Sequence, residues 1–200
     1  MTATAQKTLL EFYFMRHAKT VANEHRLANG SQGIDTPLAT SAREDLHKTN
    51  AFFRQIADEV SIVVHTDMLR SLKSAEHITL GESTPLLLSS NFNEQGLGDW
   101  EGIQYDKAAE NYKTGEDPPN GETNQNFLSR VKQGLISLSD DDQSDDKIPF
   151  VVSHGGVWLG INKICGIESH EWPDNNEVFR ARLTGDWENP ELEYEQVFTI

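Results

Sequence analysis

Four separated segments carry side chains suited to moving a phosphoryl group: Arg16-His17, Arg70, Glu94 and His154. An imidazole can attack phosphorus, and a guanidinium can hold a phosphoryl group in a bidentate fork. A carboxylic acid with a raised pKa can give a proton to a departing alkoxide and afterwards activate water. The transition state spreads negative charge over three equatorial oxygens, so catalysis is chiefly positioning and charge stabilisation. Two guanidiniums and a protonated imidazole can supply that charge where no Mg²⁺ is bound. An Arg-His pair alone is most simply the polar end of a strand. The other three segments give it meaning.

The elements around these residues predict that they meet. The apolar run Leu10 to Met15 ends abruptly in Arg16-His17, and the run Ile148 to Ser153 ends in His154-Gly155-Gly156. A further run, Val60 to Val64, leads through Asp67 to a helix over about Met68 to Leu80 with Arg70 in its first turn. A short strand at Pro85 to Leu88 precedes the loop Ser89 to Gly102, which bears Glu94. Buried parallel strands read as continuous apolar runs, and ligands bind beyond their carboxyl ends. Helices are expected at Ser41–Asp58 with Ser41 as N-cap, at Ile103–Tyr112, from Thr123 to about Leu138, and through Trp158 and Ile164 to a stop at Gly166. Further strands fit Val178–Leu183 and Leu192–Thr199. This alternation predicts an α/β protein with a mostly parallel sheet covered on both faces, a three-layer α/β/α sandwich. The Gly- and Asn-containing stretch from His17 to Thr40 is too long for an idle connection and reads as functional.

The 200 residues suit a single domain spanning 1–200, with residues 1–8 loosely held. Seventeen basic residues against 32 acidic ones give a net charge of −15. Such a balance argues against binding to nucleic acid or to an anionic membrane. It also demands that any phosphate site be locally and densely basic, which screening within about 8 Å permits. Five aspartates between Asp140 and Asp146 read as a solvated surface loop rather than a metal site, because no ligand spacing accompanies them. Cys165 is the only cysteine, which rules out intrachain disulfides and thiolate clusters, and its isoleucine neighbours suggest a buried, inert thiol. His25, His47, His65, His77 and His170 lack zinc-site spacing, and His65 could line the pocket or serve structure. The first apolar run contains Glu11 and lacks a basic flank, and no window reaches a membrane span of about 20 residues, so a cytoplasmic location is expected.

Arg16-His17-Ala18-Lys19-Thr20, with Asn23 beyond it, resembles the Arg-His-Gly-x-Thr…Asn signature of the histidine phosphatase superfamily, the phosphoglycerate mutase-like proteins. Pro37-Leu38-Ala39-Thr40 resembles the Pro-Leu-Thr that follows it in the family, and Asp67 to Glu76 its Asp-Leu-x-Arg-Ala-x-Gln-Thr-Ala-Glu helix. Asn93-Glu94 with Gly98-Asp99-Trp100-Glu101-Gly102 resembles the acid-bearing loop, Pro118 to Thr123 its Pro-Gly-Gly-Glu-Ser segment, and Val151 to Gly156 the second-histidine strand. The resemblance implies a phosphoglycerate mutase-like fold and a phosphohistidine at His17. It implies that Arg16, Arg70 and His154 cradle the phosphoryl group with Asn23 beside them, and that Glu94 is general acid and base. Thr20 and Arg26 join Asn23 as substrate-binding candidates; Arg26 and Lys19 could meet a second anionic group or stand as solvated charges. Glu101 and Glu122 compete with Glu94 for the acid's role, with Glu122 also suited to a helix start near Thr123. Ala18 replaces the signature glycine, Ala42 a second common glycine and Lys73 a glutamine, and the loop from Asn23 to Pro37 runs two residues long.

The function expected is that of a metal-independent phosphomonoester phosphatase, without cofactor, acting on a small phosphorylated metabolite. One alternative is a mutase of the phosphoglycerate type, against which stands the moderate length of Gln95 to Arg130. Another is a non-catalytic sensor of phosphoryl ligands on the same fold. Length and the Gly-Asp-Trp-Glu block resemble α-ribazole phosphate phosphatases and broad-specificity sugar-phosphate enzymes alike.

Overall fold

A computed structural model describes residues 7–140, 147–169 and 171–200. The expectations for residues 1–6, for the aspartates beyond Asp140 and for His170 lie outside the described residues. Six strands form one sheet: β1 (Thr8–Arg16), β2 (Val60–His65), β3 (Leu86–Leu88), β4 (Ile148–Ser153), β5 (Val178–Gly185) and β6 (Pro190–Phe198), in the order β3-β2-β4-β1-β5-β6. The first four run parallel, and β5 and β6 add an antiparallel hairpin beside β1. The sheet is mostly parallel, as its apolar runs predict.

Strand β1 shows how the two faces are filled. Successive side chains point to opposite sides of a strand. Leu10, Phe12 and Phe14 pack with Phe127, Val131 and Leu135 of α5 (Asn124–Asp140) and with Trp158 and Ile161 of α6 (Gly155–Ile164). Tyr13 and Met15 join Phe53 of α2 (Arg43–Ile56) and Ala75 and Ile78 of α3 (Leu69–Ile78) on the other face. Each fully buried phenylalanine contributes about 1.5–3 kcal/mol, so β1 is anchored on both sides. The rigid strand that results ends at Arg16.

Local differences from the expected elements have local causes. Ser41 is not an N-cap: Thr40–Ala42 form a 3₁₀ turn, α2 starts at Arg43 without a side-chain cap, and the Ser41 hydroxyl donates to the Glu24 carboxylate. Helix α4 (Tyr105–Thr114) starts later than Ile103, because the Ile103 carbonyl accepts the Ala28 N–H and the Tyr105 N–H goes to the Arg26 carbonyl. Thr123 does cap α5, its Oγ1 accepting the Asn126 N–H at 3.2 Å. Within the His17–Thr40 stretch lies a single-turn helix, α1 (Val21–Glu24), closed by a reciprocal capping box between Thr20 and Asn23. Among the described residues no helix is long and apolar enough to cross a membrane.

Candidate active site

Adjacent parallel strands deliver the two histidines. Arg16 of β1 lies opposite Ser153 of β4, and the His17 N–H donates to the Ser153 carbonyl at 2.8 Å. The residues that follow, His17 and His154, bring their rings to 5.2 Å between centroids with 59° between planes. Strand β2 then leads to Thr66, whose Oγ1 is 3.0 Å from His154 Nε2, and to α3, which carries Arg70 in its first turn. Glu94 arrives on the loop after β3. All four are buried: His17 is 4%, Arg70 1%, Glu94 7% and His154 0% exposed.

The nucleophile's protonation follows from its partners. His17 Nδ1 is 2.8 Å from the Ala18 carbonyl oxygen. A carbonyl only accepts, so Nδ1 carries the proton and Nε2 keeps its lone pair. Burial, then Arg70 and Arg16, hold the imidazole well below its ordinary value of 6.5, with the Ala18 bond opposing them. His17 is therefore neutral. His154 is depressed in the same direction, by burial first and then by Arg70, His17 and Arg16.

Arg70 is set by a three-sided clamp. Its Nη1 pairs with Asp35 Oδ1 at 3.0 Å, and its Nη2 donates to the carbonyls of Asn29 at 3.0 Å and Gly30 at 3.3 Å. Asp35 Oδ2 also accepts the Leu69 N–H at the start of α3. Arg16 Nη1 donates to the Pro173 carbonyl at 2.7 Å. Arg16 Nε, His154 Nδ1 and Asn29 Oδ1 are buried polar atoms without a protein partner among the described residues, and Arg16 and Asn29 line the cavity. Buried polar groups are otherwise almost always satisfied, so Arg16 Nε marks a place for a ligand acceptor and Asn29 Oδ1 a place for a ligand donor.

Glu94 sits across from these cations. Its Oε1 accepts the Gln95 N–H at 3.0 Å and its Oε2 the Gly156 N–H at 3.1 Å. Burial raises its pKa above 4.5, against the pull of those two bonds and of Arg70 and Arg16. Arg130 braces the loop by donating to the carbonyls of Asn91, Asn93 and Glu94, and is itself held by both oxygens of Glu122 at 2.7 and 2.8 Å. The rival Glu101 takes the backbone N–H groups of Gly30, Gln32 and Leu97. Both rivals of Glu94 thus hold loops.

A cavity of about 40 Å³ is lined by Arg16, His17, Thr20, Asn23, Arg70 and Glu94 on its polar side. That volume seats a phosphoryl group, and the rest of a substrate must extend past it toward solvent. Arg26 is not part of it. Its side chain is 65% exposed and paired with Asp106 at 2.7 Å, because a positive φ of 54° turns the chain outward there. Thr20 lines the cavity but spends its hydroxyl on the Asn23 side chain. His65 bonds the Thr66 carbonyl and does not line the cavity. Cys165 is half-buried against the core, its thiol pushed up to about 11 by burial.

The site also contains residues that the sequence reading passed over. Asp35 is the sole charged residue between Arg26 and Arg43, a signal that was there to be read. Asn175 Nδ2 donates to the His17 carbonyl at 2.8 Å, and Trp172 and Tyr105 line the mouth of the cavity. Trp172 is an isolated aromatic in an otherwise polar stretch, which is the only mark it leaves in the sequence.

Residues 12–185 match the model of the histidine phosphatase superfamily (branch 1). The chain belongs to that superfamily. Solved structures share its fold. A mycobacterial glucosyl-3-phosphoglycerate phosphatase complexed with VO3 superposes with a TM-score of 0.78 at 17% identity, covering 93% of this chain and 97% of that one. A putative α-ribazole-5′-P phosphatase from Escherichia coli K-12 gives 0.73 at 24% identity, over 94% and 96% of the two chains. An α-ribazole phosphatase from Shigella flexneri gives 0.71 at 23%, over 92% and 95%. In sequence the chain is 27% identical over 192 residues to agropine synthesis reductase of Rhizobium rhizogenes. That stretch is 90% of this chain and 41% of the relative, so the chain spans less than half of that protein.

Proposed function

We propose that the protein hydrolyses phosphate monoesters of small metabolites through a phosphohistidine at His17, without a metal ion. The observation that carries this reading is the neutral His17 ring, its Nδ1 bound to the Ala18 carbonyl, buried among Arg16, Arg70 and His154 with the Glu94 carboxyl opposite.

His17 Nε2 attacks phosphorus and forms the P–N bond while the ester P–O bond breaks. Arg16 and Arg70 neutralise the equatorial oxygens, which is where the charge develops. Thr66 Oγ1 accepts the Met68 N–H at 3.3 Å and offers its own proton to His154 Nε2, leaving the His154 proton on Nδ1 to donate to a phosphoryl oxygen. With its Oδ1 taken by Thr20, Asn23 offers its amide N–H₂ to the same group. Glu94, protonated through its raised pKa, gives its proton to the leaving alkoxide. The resulting carboxylate then takes a proton from water as that water attacks phosphorus, the P–N bond breaks, and neutral His17 is restored.

Release of p-nitrophenol from p-nitrophenyl phosphate in EDTA, by the wild type and by His17→Ala, tests the proposal. Turnover that His17→Ala abolishes, with an acid-labile phosphoryl label on the wild type alone, is the expected result. Absence of turnover over a broad pH range would sink it in favour of a sensor. Exchange of phosphate between substrate positions with little free phosphate would sink it in favour of a mutase.

A further inference from the structure

The phosphoryl-binding residues are only part of the cavity's lining, which also includes Leu27, Ala28, Asn29, Leu97, Ala108, Tyr105 and Trp172. We propose that Trp172 and Tyr105 select the alcohol half of the substrate, favouring monoesters whose alcohol carries a planar, apolar ring and rejecting those with a second anionic group. The inference rests on the phosphatase reading above and adds to it the class of leaving group.

The Trp172 ring is fixed in place by the segment that follows it. Arg16 Nη1 donates to the Pro173 carbonyl at 2.7 Å, Asn175 Nδ2 to the His17 carbonyl at 2.8 Å, the Asn176 N–H to the Arg16 carbonyl at 3.0 Å, and the Arg16 N–H to the Glu177 carbonyl at 3.3 Å. Residues 173–177 therefore strap the end of β1 and hold the indole beside the Arg16 guanidinium. The ring lies so close over Gly155 that a Cβ there would stand 2.4 Å from Trp172 Cε3 and 3.6 Å from Arg16 Nε. The Tyr105 ring meets the indole edge-on, 5.8 Å between centroids at 75°. Its backbone is tied to the same side of the site by the bond from its N–H to the Arg26 carbonyl. Two steeply inclined aromatic planes, with Leu27, Ala28, Leu97 and Ala108 beside them, give a flat ring both a face and an edge to contact.

The charge distribution gives the exclusion. Among the described residues, Arg16 and Arg70 are the only Lys or Arg side chains lining the cavity, and both serve the phosphoryl group. Arg26 is paired with Asp106 outside it, and the exposed Lys19 does not line it. A carboxylate or second phosphate on the alcohol would lose its hydration against Leu27, Leu97 and Trp172 and gain no counter-charge. The chain's net charge of −15 adds no compensation at longer range.

The test compares phenethyl phosphate, glycerol phosphate and phosphoglycerate, alkyl esters whose leaving groups are chemically alike, on the wild type, Trp172→Ala and Trp172→Phe. The readout is the ratio of kcat/KM values within each protein, which cancels any general loss of activity. The wild type is expected to prefer phenethyl phosphate to glycerol phosphate by about tenfold, the value of one good aromatic contact, and to phosphoglycerate by more. Trp172→Ala is expected to collapse the first ratio through KM, and Trp172→Phe to restore most of it. Equal use of phenethyl and glycerol phosphates by the wild type, or a ratio unmoved by Trp172→Ala, overturns this inference and leaves the phosphatase reading standing. Hydrolysis of none of the three esters, nor of p-nitrophenyl phosphate, overturns both.

Discussion

Asp35 holds Arg70 from two directions at once: Oδ1 pairs with Nη1 at 3.0 Å, and Oδ2 accepts the backbone N–H of Leu69, the residue before it. The carboxylate thus fixes both the guanidinium and the helix that carries it. Asp35→Asn keeps the shape and removes the charge. We expect kcat/KM for any monoester to fall by about ten- to a hundredfold, the scale of a misplacement near 1 Å at a catalytic group. Circular dichroism should remain that of the wild type. Arg70→Lys should fare no better, since an ammonium cannot span Asp35 and a phosphoryl oxygen with a rigid fork.

Removing the proton donor separates substrates by leaving group. Glu94→Gln is expected to slow alkyl monoesters by about 10²–10⁴-fold, the usual contribution of a positioned acid. The loss on p-nitrophenyl phosphate should be much smaller, because p-nitrophenolate departs without protonation. Equal losses on both would assign Glu94 to loop structure.

Activity should fall on the alkaline side as Glu94, whose pKa is raised above 4.5, loses its proton. Glu94→Gln should lack that limb. The acid limb belongs to His17, which takes up a proton only well below 6.5.

The same depression makes a statement about stability. In the unfolded chain each imidazole binds a proton near 6.5, whereas folded His17 and His154 bind theirs only well below it. The unfolded state therefore binds more protons as the pH drops below 6.5. The histidines' share of the stability is whole above that value and declines beneath it, by at most about 1.4 kcal/mol per pH unit for each, while the raised Glu94 contributes the opposite slope. Urea titrations from pH 7 to pH 5 should show the decline, and His154→Gln should flatten it.

Gly156 gives a steric route to the same acid. A Cβ there would lie 2.2 Å from Glu94 Oε1, closer than any real contact. Gly156→Ala should displace the carboxylate and reproduce the kinetic pattern of Glu94→Gln, with the melting temperature little changed.

Where burial on both sides of a strand dictates the residues, the sequence was easy to read. Leu10 to Met15 and Ile148 to Val152 are apolar because α5 and α6 cover one face and α2 and α3 the other, and their polar ends therefore announced His17 and His154. Arg70 is legible because it follows β2, whose Val60, Val63 and Val64 are buried, whereas Glu94 follows β3, whose leucines are exposed, and is marked only by the residues of its own loop. Between Asn23 and Pro37 the chain has no periodicity: its conformation is imposed by Glu101 and Arg70, which bind its backbone at Asn29, Gly30 and Gln32, and by the pair of Arg70 with the Asp35 side chain. For that reason Arg26 was assigned to the pocket while Asp35 escaped notice. Ser41 misled for a related reason, its hydroxyl being claimed by Glu24 across the loop. Trp172 and Asn175 act through long-range contacts with Arg16, His17 and Gly155, and no local pattern encodes those.

The hydrogen bond from Asn175 to the His17 carbonyl spans 158 positions of the chain. On a ribosome the nucleophile is made long before the side chain that secures its backbone. Loops closed over such separations form late, after local contacts have already settled. Nascent or prematurely terminated chains would thus hold the reactive imidazole in an unfinished setting, and catalytic competence would be acquired only once synthesis has passed residue 177.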